Sequence, residues 1–188
     1  MKRGLVLLLV FVSIISISAE TLTGFWGIPW GTPIAEIETT MAGKGYKAAA
    51  KTSTGYIYKN ILFAGRNGDA FFVLKDERLM GGSFRFVPKK KKVYDSYQSL
   101  KSDLIDKYGV QTYEQEEYLP PFFKGLRDPE DAIVSNKVRL STAWEFEDKN
   151  LILLHIENDE DKQIITIFLD YYNAVAMKEN KQSVLSDL

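Results

Sequence analysis

The chain contains no cysteine and only one histidine among its 188 residues. It therefore has no disulfide, no thiol nucleophile and no cysteine for a lipid anchor. Zinc sites built from several histidines and cysteines are excluded, and a Ser-His-Asp triad would have to use His155. No G-x-S-x-G sequence supplies a nucleophilic serine for such a triad. We predict no catalytic residues, no metal site and no cofactor.

An excess of charge of either sign is also lacking. The 24 basic and 25 acidic side chains nearly cancel, for a formal net charge of −1. Nucleic-acid binding requires a marked basic excess, so this class of partner is excluded. Phosphate-binding loops of the G-x-x-x-x-G-K-[ST] and G-x-G-x-x-G types are absent, and the acidic turn 158–161 lacks the spacing of an EF-hand loop.

Long apolar runs are limited to the N-terminus. Lys2 and Arg3 precede the apolar stretch Leu5–Ile17, and the small residues Ser18 and Ala19 follow it. This is the layout of a secretory signal, and the stretch is shorter than the roughly 20 residues of a membrane-spanning helix. We predict a signal peptide over residues 1–19 and a periplasmic or secreted mature chain over residues 20–188. After cleavage, that chain is expected to be soluble, with no stable membrane span.

Apolar residues at helical spacing predict two helices. The first begins near Pro33 and ends at Gly43 or Gly45, and the second begins near Asp95 and ends at Gly109. The side chains expected to face the core are Ile34, Ile37 and Met41 in the first helix, and Tyr97, Leu100, Leu104 and Tyr108 in the second.

Alternating and β-branched residues predict six strands. A hairpin turn is expected at 66–69 because Asn67-Gly68 tolerates positive φ angles. Gly81-Gly82 indicates a bulge or a close backbone approach. His155 is expected on the less buried side of its strand. The six strands are expected at 56–64, 70–75, 79–87, 137–147, 151–157 and 163–172.

The order of elements predicts a single α+β domain over residues 20–188. Two α-β-β-β units, pseudo-repeats over 24–92 and 93–172, would form one antiparallel sheet with the helices packed on one face. A long irregular loop is expected at 110–136 because prolines and charges interrupt any period there. A polar tail follows at 173–188.

Loop aromatics and a lysine run are the candidate binding residues. Aromatic side chains on loops can anchor a partner, although the same rings can close the end of a core. The lysine run could contact an anion, although it could equally be a solvated connector. The candidates for partner binding are Tyr118, Phe122, Phe123, Trp26 and Trp30, and those for anion binding are Lys89, Lys90, Lys91 and Lys92.

The segment Gly27–Ile37 resembles the G-x-x-W-G-x-x-x-x-E-[IV] opening of a group of uncharacterised exported bacterial proteins. Tyr108-Gly109 at the end of the second helix and Trp144 at the start of the second meander match the rest of that outline. More distantly, the layout is similar to BamE-like envelope proteins and to β-lactamase inhibitor protein. The resemblance implies helices on an antiparallel sheet and a binding module rather than an enzyme, although the BamE-like proteins are lipoproteins and this chain has no cysteine.

These observations favour an exported non-enzymatic envelope protein that binds a protein partner or a cell-wall component. Two alternatives stay open. The first is a carboxylate-dependent hydrolase assisted by His155. The second is a small-ligand carrier, which predicts an apolar cavity between the sheet and the helices.

Overall fold

A computed structural model describes residues 21–125, 128–175 and 178. The predicted signal peptide, residues 1–19, and most of the polar tail lie outside the described residues.

The described chain opens with a small ribbon and a helix. β1 (Gly24–Phe25) pairs with β2 (Ile28–Pro29), and Trp26 and Gly27 between them have φ angles of 52° and 78°. α1 (Ile34–Gly43) follows Pro33, whose extended backbone at φ −63° suits the residue before a helix. The predicted end at Gly43 is correct.

A sheet of eight antiparallel strands forms the body of the molecule. Two four-stranded meanders lie side by side in it, and the last strand of one pairs with the last strand of the other. The remaining elements, in chain order, are β3 (Ala48–Thr52), β4 (Gly55–Phe63), β5 (Arg66–Lys75), β6 (Arg78–Phe86), α2 (Val93–Tyr108), β7 (Tyr113–Tyr118), α3 (Pro129–Val134), β8 (Val138–Glu145), β9 (Leu151–Asp159) and β10 (Ile164–Tyr172). The α+β class and the antiparallel sheet are as predicted.

The predicted irregular loop 110–136 is a correction, because it contains β7 and α3. The alternation of apolar and polar residues does not reveal β7, because the side of the strand that faces α2 carries Glu114 and Glu116. Lys101 of α2 pairs with Glu114, and the hydroxyl of Tyr94 donates to Glu116 at 3.2 Å. Charges of this kind are common on edge strands.

The edge strand β3 also escapes the sequence pattern, because Ala48–Thr52 is rich in alanine rather than in β-branched residues. With β3 and β7 present, each half of the sheet has a helix followed by four strands. Two repeated α-β-β-β units are therefore not confirmed.

The first hairpin turn is also corrected. Asn67 and Gly68 lie within β5, and the turn is formed by Ala64 and Gly65, with φ angles of 47° and 72°. Cross-strand packing explains the glycine at 68, since a Cβ there would lie 2.4 Å from the carbonyl oxygen of Arg85. Gly68 therefore marks a close approach between two strands rather than a turn.

One hydrophobic core joins the helices to one face of the sheet. Ile37 and Met41 of α1 and Leu100 of α2 belong to the same buried cluster as Phe84 and Leu154 of the sheet. Trp144 is buried on the same face, with its indole N–H donating to the carbonyl of Gly109 at 2.9 Å. The opposite face of these strands contributes nothing to the cluster.

A hydrogen bond inside this core fixes α2 on the sheet. The hydroxyl groups of Tyr97 and Thr142 lie 2.8 Å apart, and both side chains are buried. Burial raises the pKa of Tyr97 well above its usual value, so the phenol stays neutral at every physiological pH.

The buried amide of Asn150 ties the two ends of the described chain together. Its Nδ2 donates to the carbonyl of Leu22 at 2.7 Å, and its Oδ1 accepts from the backbone N–H of Ala174 at 2.7 Å. Trp30 donates to the same Leu22 carbonyl at 2.7 Å. The N-terminal segment is therefore fastened at the end of β10.

We expect Asn150→Ala to lower the free energy of unfolding by about 1–3 kcal/mol, because it removes the buried amide that bonds the carbonyl of Leu22 and the partly buried N–H of Ala174. Urea denaturation measures this change, and hydrogen exchange at Ala174 should accelerate. Asn67→Ala is the matched control, since Asn67 is exposed. If the two substitutions lower the free energy of unfolding equally, Asn150 does not tie the two ends of the described chain together.

Candidate functional site

The face of the sheet opposite the core carries no helix of the described residues. We call it the open face. His155 lies on it, as predicted from the alternation in β9, and Val73 is 46% exposed there. The residues that define the open face are Ile57, Phe71, Val73, Ser83, Arg85, Leu153, His155, Phe168, Asp170 and Tyr172.

An arginine held between two aromatic rings lies near the centre of this face. Arg85 stands on β6, with Phe71 on the neighbouring β5 and Phe168 on the neighbouring β10. Its Cζ lies 3.5 Å from the centroid of the Phe71 ring and 5.1 Å from that of Phe168. Such contacts are attractive and hold a guanidinium in one orientation.

A histidine–aspartate pair continues the same row. The ring of His155 stacks on Phe168 with centroids 5.0 Å apart, and its Nε2 lies 3.0 Å from Oδ2 of Asp170. Burial raises the pKa of Tyr172 to about 12, and the charge and hydrogen bond of Asp170 act in the same direction. Asp170 is thus engaged by two neighbours on the open face.

Two serines of the described chain lie on the open face near this pair, and neither hydroxyl is hydrogen-bonded to His155. Ser83 Oγ is buried without a hydrogen-bond partner among the residues that the structure describes, and Ser141, opposite His155 on β8, has its hydroxyl 3.5 Å from Oε1 of Gln115. An activated nucleophile requires a hydrogen bond to its base. Across the described ranges, no group of three or more histidine, aspartate or glutamate side chains is arranged to hold a metal ion.

A depression of about 450 Å³ adjoins Arg85 on the open face. Gly55 and Gly81 are among the residues that line it, next to a bulge where the pairing of β5 with β6 shifts after Val73. This bears out the prediction of a bulge or close approach at Gly81-Gly82. Apolar walls and a charged rim make the depression suited to an apolar group attached to a polar one.

Trp26 and Trp30, predicted for partner binding, are half-buried and packed against the core. The Trp26 ring lies 5.3 Å from that of Phe84, and Nζ of Lys44 sits 4.7 Å above it. The indole of Trp30 is engaged with Leu22. Their contacts are those expected of side chains that close one end of the core.

The aromatics predicted on the long loop have different surroundings. The Phe122 side chain is part of the core at 8% exposure, whereas Phe123 is 54% exposed. The hydroxyl of Tyr118 donates to Glu116 at 3.0 Å, as does Nζ of Lys124 at 2.6 Å. Of these loop aromatics, only Phe123 presents most of its ring to solvent.

Glu116 organises this loop. Burial by itself would raise the pKa of this carboxyl, but the hydrogen bonds from Lys124, Tyr118 and Tyr94 outweigh it and hold the pKa below its usual value. The carboxylate is therefore charged at neutral pH and links Tyr118 and Lys124 to Tyr94 of α2.

The lysine run lies between β6 and α2. Lys89 and Lys92 line a depression of about 300 Å³, together with Arg66 and apolar side chains such as Phe86. Lys92 is paired with Asp95 at 2.9 Å, and Arg66 with Asp103 at 2.7 Å. Lys91 is exposed, and the side chain of Lys90 lies outside the description. The predicted anion site stays a prediction, and one of its four lysines, Lys92, is already paired with a carboxylate.

The open-face cluster of Arg85, Phe71 and Phe168 was not predicted from the sequence. Alternation within each strand places each residue on a face. The cluster forms because β6 pairs with β10 in the middle of the sheet. This pairing places Arg85 beside Phe168, 83 positions further along the chain, which no local pattern specifies.

No family model, curated protein or solved structure matches the chain. Within the described ranges, no helix combines the length and apolar character needed to cross a membrane.

Proposed function

We propose that this chain is an exported, non-enzymatic envelope protein that binds a protein partner across the open face. The observation that carries the proposal is the asymmetry of the sheet. One face is buried under α1 and α2, while the other leaves apolar and aromatic side chains half-exposed around a stacked arginine. Exposed apolar patches rimmed by polar residues mark interaction sites.

The composition of the open face supports a protein partner. Arginine and aromatic residues are enriched in protein interfaces and at their energetic centres. The depression beside Arg85 offers a recess for an anchoring side chain. Phe123 on the loop after β7 is a second proposed contact, separate from the open face. Export, the periplasmic or secreted location and the resemblance to binding modules belong to the same proposal.

Site-directed photocrosslinking in the envelope of the native host tests this function. A photoreactive residue at position 73 should form an adduct with one partner protein, and mass spectrometry should identify the crosslinked peptide. The matched control is position 110, where Val110 is 82% exposed but lies between α2 and β7. Equal adducts at both positions, or none at position 73, would contradict the proposal.

The loop contact is tested separately with Phe123→Ala, which leaves the core intact. We expect this variant to recover less partner in pull-down from the envelope while its thermal unfolding is unchanged. Full recovery would confine the interface to the open face. The original candidates Tyr118 and Phe122 are poorer probes, because their replacement would disturb the Glu116 network and the core.

The hydrolase and carrier alternatives stay predictions. A carboxylate-dependent hydrolase assisted by His155 would use the contact between His155 Nε2 and Asp170 Oδ2, which lie 3.0 Å apart. A carrier would use a cavity between sheet and helices, whereas the 450 Å³ depression lies on the open face. Neither alternative has an observation of its own that favours it.

A further inference from the structure

We infer that Arg85 is the anchor of the open-face interface, and that it receives the carboxylate of an aspartate or glutamate that the partner presents beside an apolar side chain. This inference rests on the proposed function and specifies its chemistry.

The geometry of Arg85 prepares it for a carboxylate. Phe71 and Phe168, on the strands either side of Arg85, pack against its guanidinium, and the N–H groups are the part of the side chain that can make polar contacts. Arginine can meet a carboxylate with two parallel hydrogen bonds. A guanidinium already held by stacking loses less conformational freedom on binding.

The charges around Arg85 leave it without an anion of its own in the described part of the chain. Asp69, opposite Arg85 on β5, is engaged by Lys59 and by the backbone N–H of Asn60. Asp170 is engaged by His155. Glu157 is exposed, with Oε1 3.9 Å from Nδ1 of His155. None of these carboxylates forms an ion pair with Arg85, which therefore favours an acidic group from outside.

The depression next to Arg85 determines what accompanies the carboxylate. Its lining includes Gly55, Ile57, Val73 and Gly81, which are apolar, so it fits an aliphatic or aromatic side chain. Ser83 lies next to Arg85 on the same face, and its hydroxyl has no hydrogen-bond partner among the described residues. Buried polar groups usually have such a partner. A partner segment with an acidic residue beside an apolar one matches both features.

The first test uses the full exported chain, ¹⁵N-labelled, and the peptide N-acetyl-Leu-Glu-Phe-amide. We expect amide shifts at Gly81 and Arg85, and binding about tenfold tighter than for the matched glutamine peptide, since a hydrogen bond to a charged group is stronger than one to a neutral amide. Arg85→Gln should abolish this preference, and Arg85→Lys should lose most of it because lysine lacks the planar fork. Arg139→Gln, on an exposed arginine of β8, should keep it.

Absent shifts, equal affinity for the two peptides, or equal loss in Arg85→Gln and Arg139→Gln would overturn the inference. Thermal unfolding of each variant shows that the fold is retained. Raising the salt concentration should weaken the binding of the glutamate peptide more than that of the glutamine peptide.

The crosslink at position 73 separates this inference from the proposed function. If the adduct with the partner is undiminished in Arg85→Gln, the proposed function is supported and the role of Arg85 is contradicted. If the protein prefers the glutamate peptide but forms no adduct with a partner, the Arg85 site is supported and the proposed function is contradicted. An adduct with residues 176–188 of the same chain, or with a second copy, overturns both.

Discussion

Replacing Phe25 with alanine is expected to lower the free energy of unfolding by about 3–5 kcal/mol, the range for truncating a buried phenylalanine. Phe25 is fully buried, and its ring lies 4.8 Å from Phe84, 5.0 Å from Phe72 and 5.3 Å from Tyr171. The substitution removes these contacts and leaves a cavity between β1 and the sheet. Urea denaturation of the full exported chain measures the change.

Phe123→Ala is the matched control, because the same atoms are removed from a ring that is 54% exposed. We expect this variant to change the free energy of unfolding by less than about 0.5 kcal/mol. A Phe25→Ala effect no larger than the control would mean that the opening segment does not belong to the cooperative core.

Gly82→Ala is expected to destabilise the protein by about 1–3 kcal/mol, the usual cost of overpacking. Gly82 lies in β6 beneath the ring of Phe25, and a Cβ there would sit 2.1 Å from Cδ1 of that ring. The ring must move, and its neighbours Phe72 and Phe84 limit where it can go. Thermal and urea unfolding of Gly82→Ala measure this effect.

A double-mutant cycle identifies the cause. Since Phe25→Ala removes the ring that the new methyl group meets, the double variant should be less destabilised than the sum of the two single variants. Gly43→Ala at the end of α1 is the control, because a Cβ there meets nothing within 4 Å. Additive effects in the cycle would rule out the Phe25 contact as the reason for glycine at position 82.

The helices were largely predictable because their signals are local. Gly43 and Gly109 end α1 and α2 as expected, and Gly109 has the positive φ of 80° that favours glycine after a helix. Ile37, Met41, Tyr97, Leu100 and Leu104 face the core as their spacing indicates. These features depend on residues within a few positions of one another.

The strands that escaped prediction are those whose partners lie outside the local sequence. The sequence of β7 is that of a charged segment, and its glutamates are accommodated in a strand because Lys101 and Tyr94 of α2 contact them. Asn67-Gly68 reads as a turn until Arg85 is placed across the sheet from Gly68. In both cases a tertiary neighbour overrides the local preference.

The candidate site was predictable only in its parts. The alternation in β9 was enough to place His155 away from the core. The proximity of His155 to Asp170, and of Arg85 to both phenylalanines, requires β10 to lie between β9 and β6. Aromatic candidates chosen for their position on loops, such as Trp26 and Phe122, pack onto or into the core, because a ring near a glycine or proline can turn inward as readily as outward.

What the sequence by itself determined is the absence of disulfides and thiol chemistry, the near balance of charge, the α+β class and the core faces of both helices. Composition and local periodicity decide these properties. Only the tertiary structure decided the eight-strand order, the pairing of β6 with β10 and the open face that it creates. That pairing joins residues about 80 positions apart, and its register depends on the fit of many side chains at once rather than on any one segment.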